Sequence, residues 1–202
     1  MYLLYLLKGI FGSNSPRNWK FLLKTLKLQC DFLHSSNMIA IRSIQPKDDP
    51  QLAIIIRTTL AEFGANHPGT VYFDATTDHL SDLFKMDRSH YFVAELNGRL
   101  VGGGGIYPTK GLPPDTCELV KMYLLPEARG IGLGKTIVEK CLETARLYGF
   151  DRIYLESMPE LGKALKLYEK FGFTYLEHPM GETGHFGCEK HMSLRLNSDP
   201  VS

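Results

Sequence analysis

The sequence predicts a mixed α/β domain in which helices flank one central sheet. Strand-like and helix-like segments alternate from Met38 onward, and the dipeptide Asn97-Gly98 joins two strand-like runs as a two-residue hairpin. Near residue 130, a buried strand-like run leads into a glycine-rich turn and then a helix. With 202 residues, of which 44% are hydrophobic, the chain is long enough for one well-buried domain and a short extra segment.

The extra segment is residues 1–37. It carries five basic side chains and one acidic side chain, a net charge of +4, whereas the whole chain sums to +1, so residues 38–202 sum to −3. We therefore expect a basic and apolar N-terminal extension (1–37) followed by one folded domain (38–202). Three interpretations of the extension stay open. In the first, it has no role in catalysis and the natural start of the protein is Met38. In the others, it is a targeting peptide or a helix that binds a surface.

The first half of the domain is predicted to contain a strand, two helices and a hairpin. Asp48-Asp-Pro50 has residues that favour a helix start, and Gly64 ends that helix. The predicted bounds are a strand at 39–44, helices at 52–63 and 79–84, and hairpin strands at 91–96 and 99–107. Four glycines, 102 to 105, weaken the second hairpin strand, which predicts a bulge or the close approach of a ligand or another backbone segment.

The second half alternates strands with longer helices. The predicted bounds are strands at 119–125, 152–156 and 190–196, a helix that starts at Thr136, and a helix at 161–171. In the first of these helices, apolar residues recur at 137, 138, 141, 142 and 145, which is a helical period. A loop at 179–187 joins the last two strands, and its His185 is either a substrate contact or a solvent-facing residue.

The turn at 129–135 is a candidate phosphate site. Backbone N–H groups at a helix N-terminus lack intrahelical partners, and glycines 130, 132 and 134 let an anion approach them closely. Arg129 and Lys135 add positive charge. Two better-known phosphate motifs do not match, because a Walker A loop needs glycine at position 129 and the dinucleotide fingerprint G-x-G-x-x-G has a different spacing.

Two motifs together resemble those of the GNAT superfamily of N-acetyltransferases. Arg129, Gly130, Gly132 and Gly134 match its acetyl-CoA-binding motif R-G-x-G-x-G/A, and the segment 164–173 matches its signature A-x-x-L-Y-x-x-x-G-F. The resemblance covers almost all of the predicted domain in the order of its elements. It implies a mixed, mostly antiparallel sheet that splays open between strands four and five. It also implies an acetyl-CoA-dependent N-acetyltransferase, an acyltransferase.

The resemblance also implies which residues hold acetyl-CoA, the co-substrate. In the superfamily, strand four pairs with the pantetheine arm and the turn holds the pyrophosphate. The implied cofactor-binding residues are Met122, Tyr123, Leu124, Arg129, Gly130, Ile131, Gly132, Leu133, Gly134 and Lys135. One residue departs from the pattern: Leu161 stands where the superfamily often has an asparagine that contacts CoA, so one cofactor contact is missing or replaced.

The chemistry of such a site needs three kinds of group. Amine attack on a thioester requires a base that removes a proton, donors that stabilise the oxyanion, and an acid that protonates the departing thiolate. The resemblance assigns the acid to Tyr168 and leaves the base open between Glu118 and Glu156, with a slight preference for Glu156. The alternatives, a core tyrosine and two ordinary strand-end carboxylates, stay open.

The sequence does not decide which amine accepts the acetyl group. A small amine, an amino acid and a peptide N-terminus all fit. A non-catalytic acyl-CoA-binding or sensor domain is the alternative function.

The balance of 23 basic and 22 acidic residues does not indicate nucleic acid, and no run approaches the roughly 18 apolar residues of a membrane span. The four scattered cysteines are typical of reduced thiols in a cytoplasmic protein. We expect this protein to be a monomer or a homodimer. We expect no metal, because Cys188-x-x-His191 is only half a zinc site.

Overall fold

A computed structural model describes residues 38–196, so the predicted extension lies outside the described residues. The strands are β1 (Ile39–Ser43), β2 (His90–Leu96), β3 (Arg99–Tyr107), β4 (Thr116–Leu124), β5 (Arg152–Ser157), β6 (Thr174–Leu176) and β7 (Lys190–Arg195). The α-helices are α1 (Asp49–Glu62), α2 (Leu80–Leu83), α3 (Leu133–Leu147) and α4 (Gly162–Lys170). Within the described range, no helix has the length and apolar character needed to cross a membrane.

The strands lie in the order β1-β2-β3-β4-β5-β7-β6, and every neighbouring pair is antiparallel except β4 and β5. The parallel pair is short. Thr116 to Glu118 pair with Arg152 to Tyr154, and beyond these three positions the two strands no longer pair. A gap therefore opens between the later parts of β4 and β5. This confirms the predicted mixed, mostly antiparallel sheet that splits between strands four and five.

The sheet separates two hydrophobic clusters. On β2, Tyr91 and Val93 belong to the cluster with α1 and α2, whereas Phe92 and Ala94 belong to the cluster with α3 and α4. This follows from the alternation of side chains along a strand. The apolar positions predicted to face the core from α3 are all buried: Ile137, Val138, Cys141, Leu142 and Ala145. The helical period in the sequence thus gave the correct face.

The predicted hairpin is confirmed at Asn97 and Gly98, whose φ angles are 54° and 75°. The glycine run in β3 lies where neighbouring strands come close. A β-carbon on Gly103 would lie 2.4 Å from the carbonyl oxygen of Phe92, and the β2–β3 register shifts beside Gly102. A bulge and a close backbone approach therefore both account for the run, and none of its glycines lines the cleft described below.

A β-bulge redirects β4 after it separates from β5. The β3–β4 register shifts between Gly103 and Gly105, and Lys121 on the opposite strand has a positive φ of 51°. Positive φ is strained for a residue with a β-carbon, so surrounding contacts must hold it. The Tyr91 hydroxyl donates to the Lys121 carbonyl oxygen at 3.0 Å, and the Lys121 ammonium is buried against Asp74.

Two element bounds differ from the sequence-based prediction in ways that affect the site. β4 begins at Thr116, which places Glu118 inside the strand rather than at its start. α3 begins at Leu133 rather than Thr136, so the glycine-rich turn leads directly into the helix. The apolar period did not show this start, because the first turn of α3 contains a glycine and a lysine.

Candidate active site

The glycine-rich turn provides free backbone donors at the start of α3. Gly130 and Gly132 have φ angles of 78° and 87°, and a β-carbon on either would meet nothing within 4 Å, so backbone conformation rather than crowding favours glycine. Within the described part of the chain, no backbone N–H from Gly130 to Lys135 donates to a protein acceptor. These donors and the helix dipole form a site for an anion.

The turn forms one end of a cleft of about 1270 Å³. One wall is β4 from Glu118 to Leu124, whose edge toward β5 is unpaired beyond Glu118 and leaves backbone groups open to the cleft. α4 contributes another wall, which includes Tyr168. The structure therefore brings both sequence motifs to one cavity. All the predicted site residues line it except Ile131 and Leu133.

These two residues lie at the turn but in different surroundings. Ile131 is exposed, whereas the Leu133 side chain is 1% exposed and packs in the core. Leu133 can therefore face an anion only through its backbone N–H. The predicted pantetheine strand, Met122 to Leu124, does line the cleft.

The charged residues of the turn are partly neutralised. The Arg129 guanidinium donates to both carboxylate oxygens of Glu62, at 2.6 and 2.8 Å, and to the Leu124 carbonyl oxygen at 2.8 Å. Arg129 thus ties the end of β4 to α1 in addition to lining the cleft. Lys135 pairs with Glu139 one helical turn later, at 2.8 Å, but its side chain is mostly exposed and can reorient. The backbone donors are the fixed part of this anion site.

Three side chains from three elements meet near the point where β4 and β5 separate. They are Glu118 of β4, Glu156 of β5 and His185 of the loop before β7. One carboxylate oxygen of each glutamate and one ring nitrogen of the histidine all lie within 4.8 Å of one another. Glu118 is buried. The Thr109 hydroxyl donates to its Oε2, whereas its Oε1 accepts no hydrogen bond from any described residue. Because each of these three residues has an atom that can accept a hydrogen bond, we call them the acceptor cluster.

Glu156 is held more tightly than Glu118. The Tyr154 hydroxyl donates to its Oε1 at 2.8 Å, and the Thr183 hydroxyl donates to its Oε2 at 2.8 Å. Tyr154 in turn accepts the backbone N–H of Met180 at 3.1 Å. The β6–β7 loop thus fixes the carboxylate, and both of its oxygens already have a donor.

His185 lies between two carboxylates. Its Nε2 is 3.2 Å from Asp74 Oδ2, and its Nδ1 is 3.7 Å from Glu156 Oε2. The Lys121 ammonium donates to the same Asp74 oxygen at 2.8 Å. With Glu118, three carboxylates therefore face two cationic groups in one part of the cleft.

The environment shifts the pKa values of these groups. Burial raises the pKa of Glu118 to about 7, and the charge of Glu156 adds to the rise. Desolvation disfavours the His185 imidazolium, but the hydrogen bond to Asp74 and the charges of Asp74 and Glu118 outweigh it and raise its pKa. Desolvation also opposes ionisation of Asp74, yet His185 and Lys121 hold its pKa below the usual value. Near neutral pH, Glu118 is the carboxylate poised to exchange a proton.

Tyr168 is both a core residue and a cleft residue. Its ring packs 5.8 Å from the ring of Phe173, centroid to centroid, and the side chain lines the cleft. Its hydroxyl makes no hydrogen bond with a described residue and is not shut off from the cleft. Burial raises the pKa of Tyr168, so the phenol keeps its proton at physiological pH. The hydroxyl is therefore a free donor.

Comparison with known proteins decides the family. The acetyltransferase (GNAT) family matches residues 56–173, more than half of the chain. The chain belongs to the GNAT family. The predicted resemblance is thereby confirmed.

Relatives and solved structures agree with this assignment. The chain is 40% identical over 157 residues to the uncharacterized N-acetyltransferase YjgM of Escherichia coli (strain K12), covering 77% of this chain and 94% of that protein. A GNAT-family acetyltransferase from Staphylococcus aureus Mu50 has a TM-score of 0.71 at 18% identity, covering 79% of this chain and all of that one. The acetyltransferase YncA from Salmonella typhimurium, solved with acetyl-CoA, has a TM-score of 0.62 at 19% identity, with coverages of 82% and 98%. The expectation of an acetyl-CoA-dependent N-acetyltransferase is confirmed.

Two residues of this GNAT site were missed in the sequence. Asp74 lies in a polar segment without periodicity, so its contact with His185 depends on tertiary folding. Lys121 did carry a signal, because it stands inside the apolar run 119–125 of a buried strand. A buried lysine needs a charged or hydrogen-bonding partner. Its presence there indicated a polar site on that strand.

Proposed function

We propose that this GNAT-family protein transfers the acetyl group of acetyl-CoA to a primary amine by direct attack within a ternary complex. The observation that carries this proposal is that one cleft joins an anion-binding turn to the acceptor cluster. A primary ammonium has three N–H donors, and acceptors at hydrogen-bond distance around it lie about 4.6 Å apart. The spacing within 4.8 Å fits such a group. The amine belongs to a small amine, an amino acid or a peptide N-terminus.

The charges near the cluster favour a cationic acceptor. Asp74, Glu118 and Glu156 face Lys121 and His185, which leaves one negative charge in excess when His185 is protonated and two when it is neutral and can accept a hydrogen bond. A cleft of one sign raises the local concentration of the opposite ion. The spermidine N-acetyltransferase of Vibrio cholerae, solved with CoA and spermine, shares the fold with a TM-score of 0.57 at 20% identity. Polyamines therefore belong among the acceptors to be tested.

Glu118 is the better-placed general base. Both oxygens of Glu156 already accept a hydroxyl hydrogen bond, which fixes this carboxylate in place as a group that binds the ammonium. Glu118 has one oxygen free, and its pKa of about 7 lets it take a proton near neutral pH. The ammonium can reach that free oxygen from the cleft. This choice differs from the slight preference for Glu156 that the resemblance suggested.

The remaining steps use the wall of β4 and Tyr168. As the amine nitrogen bonds to the thioester carbon, charge develops on the carbonyl oxygen, and backbone N–H groups on the unpaired edge of β4 stabilise it. When the carbon–sulfur bond breaks, the Tyr168 hydroxyl gives its proton to the sulfur, and the nitrogen passes its second proton through solvent to the tyrosinate. Glu118 releases its proton to solvent. The ammonium and acetyl-CoA thus yield an amide, the CoA thiol and one proton.

The direct test is a search for amine-dependent release of the CoA thiol. The full-length protein and acetyl-CoA are incubated with spermidine, with amino acids or with peptides that have free N-termini. We expect release with at least one primary amine and an N-acetyl product by mass spectrometry. The trimethylammonium analogue of the active amine is the matched control, because it has no N–H. Binding of acetyl-CoA without release for all three classes would favour the sensor function.

A second prediction concerns the glycine-rich turn. Gly132→Asp should weaken acetyl-CoA binding by about 10²-fold, because two unit charges about 4 Å apart near a protein surface repel by roughly 4 kcal/mol before solvent reduces it. The measurement is the rise in melting temperature on adding acetyl-CoA.

Gly132→Asn is the matched control for that test. Asn and Asp both tolerate positive φ and have the same size, so only the charge differs. The Asn variant should keep most of the thermal shift. Equal shifts in the wild-type and Asp proteins would rule out the turn as the pyrophosphate site.

A further inference from the structure

We propose that the acceptor cluster also binds a divalent transition-metal ion, for which Zn²⁺ is the best-matched probe. Glu118 and Glu156 supply carboxylate oxygens and His185 supplies an imidazole nitrogen. Two carboxylates and one histidine form a donor set that suits Zn²⁺ and related ions, with a further position left for water or substrate. The sequence suggested no such site, because its ligands come from three distant segments.

The spacing of the donors suits a small ion. In a tetrahedral zinc site with ligands about 2.1 Å from the metal, neighbouring donors lie about 3.4 Å apart. His185 Nδ1 and Glu156 Oε2 are 3.7 Å apart, and no donor of the cluster is more than 4.8 Å from another. Small side-chain movements would therefore complete the site.

His185 is oriented as a ligand by Asp74. A carboxylate can only accept hydrogen bonds, so His185 Nε2, 3.2 Å from Asp74 Oδ2, carries the hydrogen. The neutral ring then has its lone pair on Nδ1, which faces Glu156. Metal-binding histidines commonly donate their other N–H to a carboxylate in this way. Thr109 and Thr183 orient the two glutamates similarly.

Glu118 offers a free oxygen to a cation. Its side chain is 5% exposed, yet its Oε1 accepts no hydrogen bond within residues 38–196 and borders the cleft. The buried side-chain oxygens of residues 38–196 without a hydrogen bond do not include this one, so it is reachable from the cleft and free to bind a ligand. The Lys121 ammonium is directed instead to Asp74 and Thr77, at 2.8 and 3.4 Å. A cation in the cluster would bind the free oxygen of Glu118.

Zinc and the acceptor amine would compete for the same lone pairs. An ion bound by Glu118, Glu156 and His185 leaves no acceptors for an ammonium and blocks the general base. Zinc should therefore inhibit the enzyme. This consequence rests on the proposed function, whereas the binding itself does not.

The test is calorimetric titration of the chelator-treated, full-length protein with Zn²⁺. We expect one tight site that Mg²⁺ does not fill, and at least about tenfold weaker binding in both Glu118→Gln and His185→Gln. His191→Gln is the matched control, since His191 belongs to the half site Cys188-x-x-His191 and not to the cluster. Melting temperatures and acetyl-CoA binding report whether each variant is folded. Absence of a zinc site, or loss of it only in His191→Gln, would overturn the proposal.

Asp74→Asn gives a second route if Glu118→Gln does not fold. The amide cannot hold the His185 hydrogen as a carboxylate does, so zinc affinity should again fall about tenfold or more. Once an acceptor is known, Zn²⁺ should raise its apparent KM and leave that of acetyl-CoA unchanged, and a chelator should reverse this. Zinc binding without such competition would show that the ion lies away from the amine.

Discussion

Replacing Glu118 with Gln should lower kcat by about 10²-fold or more, the usual effect of removing a positioned base. The amide has the size of the carboxylate, and its oxygen can still accept the Thr109 hydrogen bond, but it cannot take a proton. Acetyl-CoA binding should remain, because Glu118 lies at the opposite end of the cleft from the turn. The measurement is initial rate against acceptor concentration, with a chelator present.

Two matched variants separate the roles of the carboxylates. Glu156→Gln should raise the KM of the acceptor more than it lowers kcat, because it removes charge from the ammonium site but leaves the base. Glu160→Gln should change neither value, since Glu160 lines the same cleft but is exposed and outside the cluster. A larger loss of kcat in Glu156→Gln than in Glu118→Gln would make Glu156 the base.

The pH dependence of the rate is a second, independent test of Glu118 as the general base. Burial raises the pKa of Glu118 to about 7, with Glu156 adding to the rise and His185 and Lys121 opposing it. A base acts in its ionised form, and kcat/KM reports the pKa values of the free enzyme, so kcat/KM should be low below pH 7 and should rise above it. Glu118→Gln should lack this limb. An unchanged limb in the variant would assign it to another group.

The parts of the site that could be predicted from sequence have local causes. The hairpin at Asn97-Gly98 and the face of α3 follow from backbone geometry and period alone. The motif around Gly132 and the signature containing Tyr168 predicted residues of one site, and the structure brings both to one cleft. The resemblance to a known family then implied the split of the sheet between strands four and five, which no local pattern determines.

The remaining parts depend on contacts between distant segments. Asp74 and His185 are 111 positions apart, and their pairing requires the segment after α1 to meet the β6–β7 loop. The bulge at Lys121 arises from how β4 pairs with β3, not from its own sequence. The choice between Glu118 and Glu156 depends on which oxygens have donors, and those donors come from two loops and from β5. Sequence patterns do not carry such information.

Tyr168→Phe should lower kcat by about 10²-fold or more while leaving acetyl-CoA affinity nearly unchanged. The hydroxyl is the only group removed, and its proton is the one that the leaving thiolate needs. Folding stability should hardly change, because the hydroxyl makes no hydrogen bond with residues 38–196 and the ring keeps its packing against Phe173. The measurements are initial rates on a confirmed acceptor, calorimetric affinity for acetyl-CoA, and thermal unfolding of both proteins.

Tyr107→Phe is the matched control, because Tyr107 also lines the cleft and has no role in the proposed mechanism. It should retain the wild-type kcat. If Tyr168 served only the core, its replacement by Phe would leave both kcat and folding stability unchanged, since its hydroxyl makes no hydrogen bond with residues 38–196. If Tyr168→Phe and wild type have equal kcat values, Tyr168 is not the acid, and the proton on the thiolate must come from water in the cleft. In that case the free hydroxyl of Tyr168 would act only in binding, and Glu118 would be the one side chain whose proton transfer limits the reaction.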